Sequence, residues 1–405
     1  MPAATIDPGT GCFVVGDARV FPVTLSNGPP RGGSAPDGGD AWAEVAKAGV
    51  TFLRFYTTWG AQPVAGQITT LIENLEAASS HGLAGWVGLD PVAWEGDQAV
   101  LEQIVNAAKD NPGLGAWKGA DEPAWNSRPT AAVIAAYRTV KQLDPNHPLV
   151  LIQAPVYDTT HYLPATAPIV APYTPGTDTH GFDIYPLPPG KHSPHNPNQT
   201  LSIVGDLTAI IGQASPGKAL WMTLQAPAWS GTPSAPTPPA DIPTLQQARF
   251  MAYDAVVHGA RGLAFFGGDV ARVLTSADEK LGWNWTYWRN VLLPLLTELR
   301  DPDHNQALTA PNATFAVTAN STDIKLVVRE ANGFVYLIAV RRNATVTGPS
   351  EVQFRGLPTG ITDGTVLGHG ASNPPRPFSV ETGAFTDLDA FAPYNSRVYR
   401  FQLPG

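Results

Sequence analysis

Two adjacent carboxylates, Asp121 and Glu122, stand between a short apolar run and a proline in the segment GAWKGADEP, residues 115–123. A carboxyl that keeps its proton near neutrality is a general acid, and a carboxylate beside it stabilises developing positive charge. The pair therefore has the composition of an acid–base site. Neighbouring residues on a strand face opposite ways, so Asp121 and Glu122 share a site only where the strand has ended or bulged. Pro123 favours an ending, because it restricts Glu122 and has no N–H to give to a ladder. A helical run follows at Pro129, so capping that helix in solvent is the alternative role for the pair.

The elements that would position these carboxylates recur along the chain. Short apolar runs at residues 21–25, 50–56, 85–89, 113–117, 149–153, 182–185, 219–224 and 262–266 read as strands. Helical patterns at 41–48, 68–80, 99–110, 131–143, 200–213 and 244–258 separate most of them, and 156–179 is irregular. A hairpin with its turn at Gly16-Asp17 leads into the first strand. Alternating strands and helices predict a parallel sheet covered by helices, and eight such strands predict a closed (β/α)8 TIM barrel. Chemistry in that fold sits at the carboxyl ends of the strands. The residues there are Asn27; Tyr56, Thr57 and Trp59; Asp90 and Trp94; Asp121 and Glu122; Gln153; Asp183 and Tyr185; Gln225 and Trp229; and Asp269. The set is acidic, polar and aromatic with little Lys or Arg, which suits a neutral polyol better than a phosphate. Trp59, Trp94, Trp125 and Trp229 are sugar platforms on this reading and ordinary core on the other; of Trp283, Trp285 and Trp288, at least two are expected to be packing.

From Asn305 the texture changes to short alternating strands with Asn, Gly and Pro between them, which predicts an antiparallel β-sandwich. The division expected is a barrel over residues 1–304 and a sandwich over 305–405. All eleven tryptophans fall between Trp42 and Trp288, so the sandwich reads as structural support rather than a sugar binder. The net charge of -9 argues against nucleic acid, which needs a basic stripe. One cysteine, Cys12, excludes an internal disulfide and a Cys-based metal site. His192 and His195 lie in a proline-rich loop, which suits a substrate contact better than zinc, and no metal or organic cofactor is expected. No apolar run is long enough to span a bilayer. The first residues lack a signal pattern, so the chain reads as cytoplasmic or as a mature secreted form. Asn198, Asn284, Asn312, Asn320 and Asn343 each begin an Asn-x-Thr triplet, a pattern that also arises by chance in Thr-rich loops.

Taken in order, FVVGDARVFPV, AGVTFLRFY, GAWKGADEP, GFDIYP, LWMTLQAPAW, GARGLAFF and GWNWTYW resemble the barrel glycoside hydrolases of clan A and related families, over roughly residues 13–300. The resemblance implies a glycosidase cleaving O-glycosidic bonds of an oligo- or polysaccharide, with Glu122 at the end of the fourth strand as acid/base. It also implies a Glu nucleophile at the end of the seventh strand, where this chain has Gln225. The residue before the acid/base is Asp121, where the clan usually has Asn. An adjacent Asp-Glu pair resembles hexosaminidase-like families, in which the Glu protonates the leaving oxygen and the Asp orients the substrate's own 2-acetamido group. A third arrangement keeps two protein carboxylates, with Asp183 as Glu122's partner and Asp90 and Asp269 behind it. Tyr56, Trp59, Asp90, Trp94, Gln153, Tyr185, Gln225 and Trp229 would then line the sugar site, Gln225 orienting a hydroxyl or Glu122. The rival from another class is a catalytically silent carbohydrate-binding barrel.

Overall fold

The structure is a computed structural model that describes residues 4–56, 59, 63–156, 166–188, 198–226, 242–267, 275–342, 351–368, 374–388 and 391–404. Strands β1 (Ala4–Ile6), β2 (Phe13–Val15) and β3 (Ala18–Val20) form a small antiparallel sheet. The β2–β3 turn falls at Gly16-Asp17 as expected. Eight parallel strands then close into a barrel: β4 (Val23–Leu25), β5 (Phe52–Phe55), β6 (Ala84–Gly88), β7 (Leu114–Asp121), β8 (Leu149–Gln153), β9 (Thr179–Ile184), β10 (Ala219–Gln225) and β11 (Gly262–Phe266). Each corresponds to one of the runs read from sequence.

Two strands extend by three or more residues beyond that reading. β7 continues past Trp117 through Lys118, and β9 begins at Thr179 rather than Phe182. Both extensions contain polar or small residues that an apolar-run criterion passes over. They are strand because the barrel interior accepts them: a Cβ on Gly181 would lie 1.6 Å from the Trp221 carbonyl, so β9 can approach β10 only with glycine there.

Alternation divides each strand between two layers. Phe52, Ala84, Trp86, Ala116, Val150, Ile152, Trp221 and Ala264 meet inside the barrel. Phe13 from β2 joins them, edge-on to Phe52 at 5.2 Å and to Trp221 at 5.8 Å. Gly11 lies against Ala219, the first residue of β10, so the small sheet plugs the amino end of the barrel. The carboxyl end is left for chemistry. The outward faces pack under helices such as Val64–Ser80, Gln98–Ala108, Thr130–Leu143, Ile203–Ala214 and Leu245–Val257. Trp283, Trp285 and Trp288 are all buried in this outer layer, as packing.

Among the described residues eight further strands follow: β12 (Thr318–Ala319), β13 (Ile324–Ala331), β14 (Phe334–Arg341), β15 (Val352–Arg355), β16 (Asp363–Val366), β17 (Arg376–Ser379), β18 (Ala384–Asp387) and β19 (Ser396–Gln402). They form antiparallel sheets in the orders β12-β15-β18 and β13-β14-β19-β16-β17, which share an apolar core. A buried hydrogen bond from Arg249 and partly buried ion pairs of Arg342 tie this sandwich to the barrel. Arg249 bonds Glu298 at 2.8 Å and donates to the Ser396 carbonyl at 2.8 Å, and Arg342 pairs with Asp206 at 2.6 Å and Asp254 at 3.0 Å. Among the described residues no helix is long and apolar enough to cross a membrane.

Candidate active site

The Asp121-Glu122 pair is reached through both of the devices the sequence allowed. Against β8, Lys118 pairs with Val150 and Asp121 with Ile152, so β7 spends three residues where β8 spends two. Three steps would turn Asp121 away from Lys118; the bulge restores the parity and puts both on one face. Glu122 then takes a left-handed φ of 45°. For a non-glycine this costs of order 1–3 kcal/mol and persists only where the surroundings enforce it. Here the Glu122 N–H donates to Ile152 at 3.0 Å and its carbonyl accepts from Asn126 at 2.9 Å.

Two cations that the sequence reading left out of the site lie beneath it. Lys118, 1% exposed, bonds Asp121 Oδ1, and Arg54 Nη2 stands 3.7 Å from the same oxygen. Burial pushes the Lys118 ammonium down, with the Asp121 charge working against it. Burial would raise Asp121, but the Lys118 and Arg54 charges outweigh it and hold the carboxyl below the usual range. Asp121 is thus kept ionised while remaining 42% exposed. The available signal was a lone cation on an otherwise apolar strand, at the inward parity of Phe52 and Ala116.

Glu122 faces a carboxyl sixty-one residues away in sequence. Asp183, at the end of β9 and 9% exposed, lies beside the Glu122 carboxyl, whose charge acts on it. Burial first, then the Glu122 charge, and then the Asp121 charge raise Asp183 well above the usual carboxylate range; the Tyr185 bond opposes them weakly. The Tyr185 hydroxyl donates to Asp183 Oδ2 at 3.2 Å, and its ring lies 5.3 Å from Phe266. Burial and then the Asp183 charge push the phenol well up, so it stays a donor. Asp183 is thus the carboxyl that keeps its proton, beside Glu122.

The remaining expected residues separate into three groups. Around the pair, Asp90 Oδ1 accepts from the Asp121 N–H at 3.2 Å and from Trp94 Nε1 at 2.9 Å, and exposed Tyr56 lies beneath the Arg54 guanidinium at 4.0 Å. Other expected residues are engaged by the protein itself. Trp59 is not an open platform: it is 3% exposed, in the outer core, with its Nε1 donating to Gly88 at 2.8 Å. One face of Trp94 is covered by the Arg128 guanidinium at 3.5 Å. Gln153 has the opposite parity to inward-facing Val150 and Ile152 and is fully buried. Its Oε1 accepts from Ala124 N–H at 3.1 Å and its amide meets His180 Nε2 at 3.2 Å, so it braces the turn after Glu122. His180 is neutral, its pKa pushed down to about 3 by burial and by Lys218. Gln225 is 1% exposed and bonded to the backbone of Leu187. Thr57, Trp229, Asp269, His192 and His195 lie outside the described residues. Among the described residues, no cluster of three His, Cys, Asp or Glu side chains is arranged to hold a metal.

No protein-family model matches the sequence, and no curated protein matches it. Solved structures do match in shape. A GH30 endoxylanase from Clostridium papyrosolvens C71 aligns over 99% of this chain and 100% of its own at 12% identity, with a TM-score of 0.54. An α-amylase from Geobacillus thermoleovorans aligns over 96% and 100% at 12% identity and a TM-score of 0.56. A family 51 α-L-arabinofuranosidase from Bifidobacterium longum aligns over 99% and 97% at 14% identity and a TM-score of 0.51. The chain has their fold. It is a TIM barrel followed by an antiparallel β-sandwich, of the kind these glycosidases use. At such identities the likeness carries the architecture and leaves the chemistry to this chain's own side chains.

Proposed function

We propose that the chain is a glycoside hydrolase acting on an oligo- or polysaccharide, with Glu122 as general acid/base. The observation that carries this reading is the buried Asp183, held by the Tyr185 hydroxyl at 3.2 Å and raised well above the usual carboxylate range, beside Glu122 at the carboxyl mouth of the barrel. A retained proton is what a general acid must have available near neutrality. Glu122, the more exposed of the two, passes that proton to the glycosidic oxygen as the bond to the anomeric carbon breaks. The oxocarbenium-like centre then meets the ionised Asp121. Water adds at the anomeric carbon, and its proton returns to the Glu122–Asp183 pair. Asp183 acts here as the buried proton partner.

Substrate assistance on a 2-acetamido sugar is the second reading, supported by two features. Gln225, where the resemblance implies a nucleophile, is an amide engaged with Leu187, and Asp121 beside Glu122 is held ionised by Lys118 and Arg54. The residues from 305 onward serve as support for the barrel.

A panel of aryl glycosides and natural oligosaccharides, assayed with wild type and Glu122→Gln, tests the proposal. Glu122→Gln is expected to lose about 10²- to 10⁴-fold in activity, the usual worth of a positioned acid. Activity confined to 2-acetamido sugars would select substrate assistance, and cleavage of plain glucosides or arabinosides would exclude it. A wild type that binds glycans and cleaves none is the silent barrel, and the proposal fails.

A further inference from the structure

Gln225 occupies the end of β10 on the parity of Trp221, which lies inside the barrel, so it points where a substrate-contacting group would stand. Its amide is nevertheless taken by the protein itself. Oε1 accepts from the Leu187 N–H at 2.9 Å, and Nε2 donates to the Leu187 carbonyl at 2.8 Å. The two bonds fix which way the amide is turned, since only one orientation matches a donor with an acceptor on both sides. Leu187 follows Tyr185 by two residues and Asp183 by four, and Phe266, the register partner of Gln225 on β11, lies against the Tyr185 ring.

We infer that Gln225 is a positioning residue: its side-chain amide clamps both backbone groups of Leu187 and thereby holds Asp183 and Tyr185 against Glu122. An amide does this and a carboxylate does not. An ionised Glu is acceptor-only and would set its charge against the Leu187 carbonyl in a buried site. A protonated carboxyl, by contrast, has one donor and one acceptor, like the amide. The position therefore has a structural need for Gln. The catalytic consequence rests on the glycosidase reading above, whereas the clamp itself does not.

The test compares wild type, Gln225→Glu and Gln225→Met in thermal melts and in kcat/KM across acid to neutral pH. Gln225→Glu is expected to melt lower than wild type at neutral pH and to lose roughly tenfold or more in kcat/KM, mainly in kcat. Both deficits should shrink in acid, where the new carboxyl is neutral and can again donate to Leu187. Gln225→Met, which has the length but neither bond, is expected to show the deficits at every pH. A Gln225→Glu protein that matches or exceeds wild type at neutral pH, with retained anomeric configuration, would make the position a vacated nucleophile and overturn the clamp. Wild-type melting and activity in Gln225→Met would overturn it equally, and this variant decides if Gln225→Glu does not fold. Should wild type cleave no glycoside, the melts still decide: acid recovery of Gln225→Glu keeps the clamp while the glycosidase reading falls, and a pH-independent deficit removes the clamp.

Discussion

Replacing Asp183 by asparagine tests the retained proton at its source. Burial first, and then the neighbouring Glu122, raise the Asp183 carboxyl well above its usual range in the folded chain. A group that keeps its proton when folded and releases it when unfolded makes the native state bind more protons. Stability then falls as pH rises from the unfolded pKa, about 3.9, toward the folded one. Each pH unit of that span costs about 1.4 kcal/mol, so by neutrality the cost has a ceiling of about 4 kcal/mol. Asparagine has the shape of the protonated acid and no charge to desolvate: Oδ1 can accept from Tyr185 and Nδ2 can donate to Glu122. Asp183→Asn should therefore match wild type near pH 4, exceed its stability at pH 7 by up to that ceiling, and still lose activity because the proton is gone. Thermal and urea melts of both proteins from about pH 4 to 8 read the difference, a few degrees in melting temperature at most for a chain of this size. Parallel pH profiles for the two proteins, or an Asp183→Asn protein that is less stable at neutral pH, would show that Asp183 is ionised in the fold, and the retained-proton reasoning would be refuted.

Two further substitutions probe what surrounds the pair. Lys118→Met removes the main charge that keeps Asp121 below the usual range. Asp121 then takes up a proton at higher pH, so the acid limb of kcat/KM should move upward, and an unmoved limb would take the ionised Asp121 out of the mechanism. Arg249→Met takes the guanidinium from buried Glu298, leaving His304 Nε2 at 3.6 Å, and cuts a bond to Ser396 of the sandwich. Orphaning one member of a buried pair typically costs 3–5 kcal/mol, or about that. The loss in melting temperature should be large at neutral pH and smaller in acid, where Glu298 can protonate; equal losses at both would mean that the loss comes from the cut Ser396 bond and not from the orphaned Glu298 charge.

Much of the architecture was legible because its signals are local. Eight short apolar runs at crossover spacing leave few alternatives to a closed parallel barrel, and the Gly16-Asp17 turn is readable in two residues. The Asp-Glu-Pro end of β7 was legible for the same reason. What was missed depends on which face a side chain takes and what waits there. Lys118 and Arg54 look like solvated charges in a linear reading, and only strand parity in a closed barrel turns them under Asp121. Trp59 follows a strand end and so reads as a platform, yet its Nε1 finds the Gly88 carbonyl and its ring finds the core.

By itself the sequence determined the periodicities, the residue types at the strand ends, and an acid pair whose backbone has to bulge or stop to bring both carboxyls to one place. Only the tertiary structure decided the partners. Asp183 meets Glu122 because ring closure brings the ends of β7 and β9 to the same mouth of the barrel, and the Gln225 amide finds Leu187 because β10 runs beside the end of β9. Residue type sets what bonds a side chain can make, whereas the choice between substrate, solvent and a distant backbone group is made by non-local geometry, which has no local signature in the chain.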